Sequence, residues 1–199
     1  MLKQSISLVP SRRDLYQAKL VFYLFLASLT VFFIASLVTY CIIRTQAFQP
    51  INRSYEALQL PMTFWTSTGL LVLISVFLQR ACWLVHRERQ KEFRRWLVWA
   101  WLSAVVFMII QAFGMHDLLT HHFTKTDGTT KVYGMSFTLA LIHALHVLGG
   151  MIFLAYVMWQ SMRNKYDHER HFAVDHCAAY WHFLDVVWFT MLVMFVITK

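Results

Sequence analysis

"DHCAAYWHFLDVVWFTMLVMFVIT", residues 175 to 198, carries no charged side chain beyond Asp175 and Asp185 across 24 positions, yet it also holds His182. A hydrocarbon core of about 30 Å is crossed by roughly 20 apolar residues rising about 1.5 Å each, so this stretch reads as a membrane-spanning helix. Four others qualify, at about 19–43, 62–84, 94–115 and 134–160. Lipid offers backbone groups no partner, and none of the stretches alternates as a barrel strand does, so each is expected to be helical. The composition agrees: 58% of residues are apolar and 14% charged, against roughly 25% charged in a soluble domain. The fold class is an all-α integral membrane protein, five transmembrane helices in one bundle over residues 19–198, preceded by a polar segment at 1–18. The first span is too long for a signal-peptide core and reads as retained.

The net charge of +8 resembles a nucleic-acid signal until the basic residues are sorted by loop. Lys3, Arg12, Arg13, Lys19, Arg80, Arg87, Arg89, Lys91, Arg94, Arg95, Arg163, Lys165 and Arg170 fall on one side, and only Arg44, Arg53, Lys125, Lys131 and Lys199 on the other. The positive-inside rule then predicts a cytoplasmic N-terminus and a C-terminus outside, with no nucleic-acid partner. "RERQKEFRR" (87–95) reads as a topology signal on a solvated turn, with an anionic-lipid or protein patch as the alternative. His116, His121 and His122 fall in an outer stretch with no helical carboxylate partner, which favours a surface loop over a metal site. Cys41, Cys82 and Cys177 are odd in number and far apart, so they read as small core residues.

An ionised Asp in mid-span costs roughly 2.5–3.5 kcal/mol, so such residues face the bundle interior, paired or neutral. From the expected span ends, His146 lies about 16 Å deep and Asp185 about 14 Å. His143 shares a face with His146, and His182 with Asp185, because each pair is three residues apart. Spans four and five are therefore expected to be neighbours joined by a hydrogen bond from His146 to Asp185, with His143 in reserve. Ser136, Ala140, Ala144, Gly149 and Gly150 favour close packing of span four. Three chemistries compete for these residues. A structural polar network needs only what is present, a haem would use His143 or His146 with His182, and a dinuclear metal site would want more carboxylates than Asp185.

"YWHFLDVVW" (180–188) preceded by "HFAVD" (171–175), and "HALHVLGGMIFL" (143–154) preceded by "YGMSF" (133–137), resemble the signatures of the haem-copper oxidase subunit III family. Weaker likeness extends over "KLVFYLFLASLTVFF" in span one and "FMIIQAF" in span three, and five spans resemble the short bacterial form. The resemblance implies a subunit with no haem or copper of its own, those being in partner subunits. It would pack against subunit I, bind phospholipid between helices and support proton uptake. Two departures stand out. In "LFLASLTVFF" Leu29 occupies the place of the family's buried glutamate, and in "QAFGM" Gly114 replaces an acidic residue; Asp175 stands where a family glutamate precedes the last motif.

The expectation is an accessory, non-catalytic subunit of a respiratory terminal oxidase in a bacterial inner membrane, with membrane lipids and oxidase chains as partners. The lost glutamate raises the possibility of an unusual supercomplex. His143, His146, His182 and Asp185 would form its polar network. Tyr180, Trp181 and Trp188 would fill helix interfaces, and Arg163, Lys165, Arg170 and His171 would meet lipid phosphates. The rivals are the same subunit in a quinol oxidase or nitric oxide reductase, a stand-alone haem-binding electron carrier, and a small transporter using Asp185.

Overall fold

A computed structural model of the chain describes residues 12–47, 62–87, 89–124, 130–163 and 172–197. Five α-helices account for nearly all of them: α1 Arg12–Ala47, α2 Met62–His86, α3 Gln90–Thr124, α4 Thr130–Met162 and α5 Phe172–Ile197. Each is long and apolar enough to cross a membrane. Every boundary but two lies outside the expected span, because a helix goes on satisfying its own backbone after it leaves the hydrocarbon and its residues turn polar. The expected outer loop at His116, His121 and His122 is corrected accordingly: all three belong to the last turns of α3. In "RERQKEFRR" Arg87 lies in a turn after α2, and the residues from Gln90 onward belong to α3. The Arg87 and Arg89 amides both donate to the Leu84 carbonyl, the Phe93 amide donates to Arg89, and Arg89 pairs with Glu92 at 3.2 Å on the surface.

Short connections make chain neighbours antiparallel, and α2, α3, α4 and α5 pack in sequence with α5 closing back on α2. The diagonal pairs α2/α4 and α3/α5 do not approach through their backbones. The centre is filled by side chains alone, among them Trp181, Trp188, Phe64, Phe93 and Phe107. Among the described residues α1 stands outside this ring and packs on α4 and α5. Its contact stripe is Phe22, Leu26, Leu29, Phe33, Leu37, Tyr40 and Arg44, at steps of three and four, the spacing of one helix face. The expected single bundle is thus a ring of four with a fifth helix laid on the α4–α5 seam. Leu29 is half-buried in that stripe and packs against the core.

Helix α4 meets its neighbours through small residues: Ser136, Ala140, Ala144 and Gly150 are buried, whereas Gly149 faces outward. Gly150 is the tightest of these on α5, since a β-carbon there would stand 3.1 Å from the Tyr180 ring and 3.4 Å from Trp181 and Leu184. On α3, Gly114 is tighter still against α2, since a β-carbon there would stand 2.6 Å from the Thr63 hydroxyl and 2.8 Å from the Phe64 ring.

Candidate functional site

The polar side chains on α5 and facing it separate into two groups on opposite sides of the helix. One face of α5 looks at α4. There the Tyr180 hydroxyl donates to the backbone carbonyl of His146 at 3.0 Å, in the space left by the missing side chain of Gly150. The His146 ring turns away and its Nδ1 donates to the Ile142 carbonyl one turn back, 2.7 Å. The ring packs against Phe33 of α1, with centroids 5.2 Å apart. His143 is fully buried against the Trp188 indole at 5.2 Å, and neither ring nitrogen has a hydrogen-bond partner.

The other group lies on the α2 side. Asp185 hydrogen-bonds Ser75 through Oδ2, and the Ser75 hydroxyl also lies 3.1 Å from His182 Nδ1. His182 Nε2 reaches Gln79 Oε1 at 3.3 Å. One and a half turns further along α5, the Trp188 indole donates to Thr68 at 2.9 Å. Toward the other end the Cys82 thiol lies 3.9 Å from the Val174 carbonyl. The α2–α5 seam is therefore laced by side-chain hydrogen bonds along much of its length.

The expected bond between His146 and Asp185 is corrected. Spans four and five are joined, but through Tyr180 and a backbone carbonyl, while the Asp185 carboxylate is turned toward α2. Tyr180 meets the His146 carbonyl and Trp188 meets the His143 ring. The missing information was azimuth, since depth follows from the rise per residue and rotation from how neighbours pack. The expected four-member network is accordingly two separate sets, His182 with Asp185 on α2, and His143 with His146 against α1 and Trp188.

Ser75, Gln79 and Thr68 were not anticipated. A serine or threonine in an apolar span ordinarily satisfies itself on its own helix, so Ser75 gives little signal. Gln79 was the available cue, an amide inside a span with no local partner. Trp181 and Trp188 are almost wholly buried in the core, as is Tyr180 against α4. Arg163 follows α4 with its guanidinium 3.9 Å above the Trp159 ring; Lys165, Arg170 and His171 lie outside the described residues. Among the described residues no three His, Cys, Asp or Glu side chains are grouped as metal ligands would be. His143 and His182, the pair a haem would use, face different helices.

Tyr180→Phe is expected to loosen the α4–α5 seam by about 0.6 kcal/mol, the usual worth of an interhelical hydrogen bond in a membrane. Thermal denaturation in detergent, scored against Tyr156→Phe, checks this, because the Tyr156 hydroxyl bonds only Gln160 on its own helix.

The sequence profile described as "Cytochrome c oxidase subunit III" matches residues 17–198, all five helices. The chain is 29% identical over 136 residues to "Cytochrome c oxidase subunit 3" of Drosophila melanogaster, covering 68% of this chain and 48% of that one. It is 30% identical over 125 residues to "Probable cytochrome c oxidase subunit 3" of Mycobacterium tuberculosis, covering 62% and 60%. With "Cytochrome c oxidase subunit 3" of Gadus morhua the figures are 32% over 123 residues, covering 61% and 45%. The matches span roughly half the length of these curated relatives. With its five apolar helices, a profile match over nearly its full length and relatives that share one name, the chain belongs to the cytochrome c oxidase subunit III family.

Proposed function

We propose that the chain is a non-catalytic accessory subunit of a respiratory haem-copper terminal oxidase, a complex that reduces oxygen to water and moves protons. The carrying observation is the family match across residues 17–198. In this reading haem and copper reside in partner subunits, and the bundle covers a flank of subunit I. Large apolar side chains on the outside of every helix supply the surface for lipid and for neighbouring subunits. A groove between α1, α4 and α5, lined by Val21, Phe22, Phe25, Phe153, Phe172 and His176, has the shape and polarity for acyl chains. The charge sorting along the chain supports a cytoplasmic N-terminus, and the mycobacterial relatives support a bacterial inner membrane.

Isolation of the native complex through an affinity tag on this chain tests the reading. The expected result is co-purification with a haem-bearing subunit I and a copper-bearing subunit II, and lowered oxygen-consumption turnover in membranes lacking this chain. Purification as a lone chain with its own Soret band would replace the reading with a haem-binding electron carrier. A complex without a copper subunit would place it in a quinol oxidase or nitric oxide reductase.

A further inference from the structure

Between α2 and α5 runs a groove of about 410 Å³, lined by His86, Cys82 and Gln79 of α2 and by Asp175 and His182 of α5. His86 is the last residue of α2 and Asp175 lies in the first turn of α5, so the groove starts at the end of the bundle that bears the α2–α3 turn. Gln79 and His182 are its polar residues furthest from that end. Beyond them Ser75 and Asp185 continue the hydrogen-bonded file, and Asp185 stands ten residues, about 15 Å, past Asp175 along α5. The Asp185 Oδ1 atom is buried with no hydrogen-bond partner.

We propose that His182, Ser75 and Asp185 form a proton relay, fed by water in the α2–α5 groove from the α2–α3 end of the bundle. The geometry pairs every link from Asp185 Oδ2 through Ser75 and His182 to Gln79 Oε1 in two states. In one, protonated Asp185 donates to Ser75 Oγ, the Ser75 hydroxyl donates to His182 Nδ1, and His182 Nε2–H donates to Gln79 Oε1. In the other, His182 is an imidazolium whose Nδ1–H donates to Ser75 Oγ, and the Ser75 hydroxyl donates to the Asp185 carboxylate; the Gln79 bond is the same. Interconversion breaks the Asp185 O–H bond as its proton joins Ser75, and the Ser75 proton passes to Nδ1; the reverse shift restores the first state. Two protons each shift by one link, the net result is one proton passed between Asp185 and His182, and no electron moves. A third state joins the file to the groove: with Asp185 ionised and accepting from the Ser75 hydroxyl, neutral His182 carries its proton on Nδ1, a hydronium gives its proton to the bare Nε2 and leaves as water, and the ring becomes the imidazolium of the second state. A carboxyl group this far into an apolar bundle is tolerated where it faces a protein interior or a hydrated cavity, and this seam provides both. Gln79 is the selector, since its carbonyl accepts the same proton in either state and leaves the imidazole orientation unchanged.

The relay does not depend on which oxidase houses the chain, and the test separates the two. Infrared difference spectra of the purified native complex, wild type minus Asp185→Asn, isolate the carboxyl band of Asp185. The rate at which that band rises after a rapid drop in pH is expected to slow about 100-fold in Ser75→Ala and in His182→Phe, the lower end of what a positioned proton-transfer group contributes, and to be unchanged in Thr68→Ala. Equal rates of rise in wild type and Ser75→Ala, or no protonated band at any pH, would overturn the relay. If the relay variants do not assemble, thiol labelling answers. Cys82 lines the groove and Cys177 does not, so a membrane-impermeant thiol reagent should label Cys82 first, and only from the face that labels Arg87→Cys. Labelling from neither face, or from both, removes the groove as a route for water.

Discussion

Replacing Trp188 by alanine is expected to lower the stability of the folded bundle by about 3 kcal/mol, enough to dissociate or unfold the chain in mild detergent. Trp188 is 1% exposed and is the point at which all four helices of the ring meet. Phe64 of α2 lies edge-on at 5.4 Å, Phe107 of α3 at 6.5 Å across the diagonal, and His143 of α4 at 5.2 Å. Lipid tails are as apolar as these rings, so the loss is one of van der Waals contact and of a cavity that rigid helices cannot close. The indole nitrogen adds its bond to Thr68. Trp188→Phe should therefore recover most of the loss, and Thr68→Ala should cost little more once Trp188 is already Phe. Thermal unfolding of purified variants, followed by fluorescence-detected size exclusion, measures the set. Equal stability of Trp188→Ala and wild type would show that the core repacks freely.

Gly114→Glu is expected to abolish assembly. A β-carbon at this position already stands 2.6 Å from the Thr63 hydroxyl and 2.8 Å from a buried Phe64 ring, so even alanine forces one of them to move. A longer side chain must push α3 off α2, and its carboxylate would enter an apolar contact with no cationic partner on the facing residues, a loss of several kcal/mol. Gly69→Ala provides the control, because nothing lies within 4 Å of a β-carbon there. That change should be neutral or stabilising by up to about 1 kcal/mol through helix propensity. Expression and retention in the membrane, compared between the two variants, check the contrast.

What was legible in the sequence follows from what lipid demands. Each span had to supply a run of apolar residues, so the number and order of helices could be read directly. Helix ends could not, because backbone bonding persists where side chains turn polar, as the stretch from His116 to Thr124 shows. The position of α1 outside the ring left no sequence mark, since its contact stripe and its lipid face are built from the same apolar residue types. Asp185 and His182 stood out as costly in lipid, and their shared face is seen in their shared partner Ser75. That partner was invisible because a lone serine is common in such helices. His146 drew attention for the same reason as Asp185, although its ring is satisfied on its own helix and only its carbonyl reaches α5.

The outlying position of α1 has a consequence for biosynthesis. Of the five described helices it emerges before the others, but the helices it docks against are α4 and α5, whose last described residue follows about 150 positions later. At about 5–20 residues per second, α1 must wait roughly 8–30 s in the bilayer before its seam exists. It is equipped for that interval. Of the five spans it has the highest mean hydropathy, and the hydroxyls of Thr30, Ser36, Thr39 and Thr45 all donate to carbonyls of α1 itself, three or four residues back. The earliest of the five described helices is thus one that can remain alone in the bilayer, with these four hydroxyls already satisfied, until the ribosome delivers the surface it was made to join.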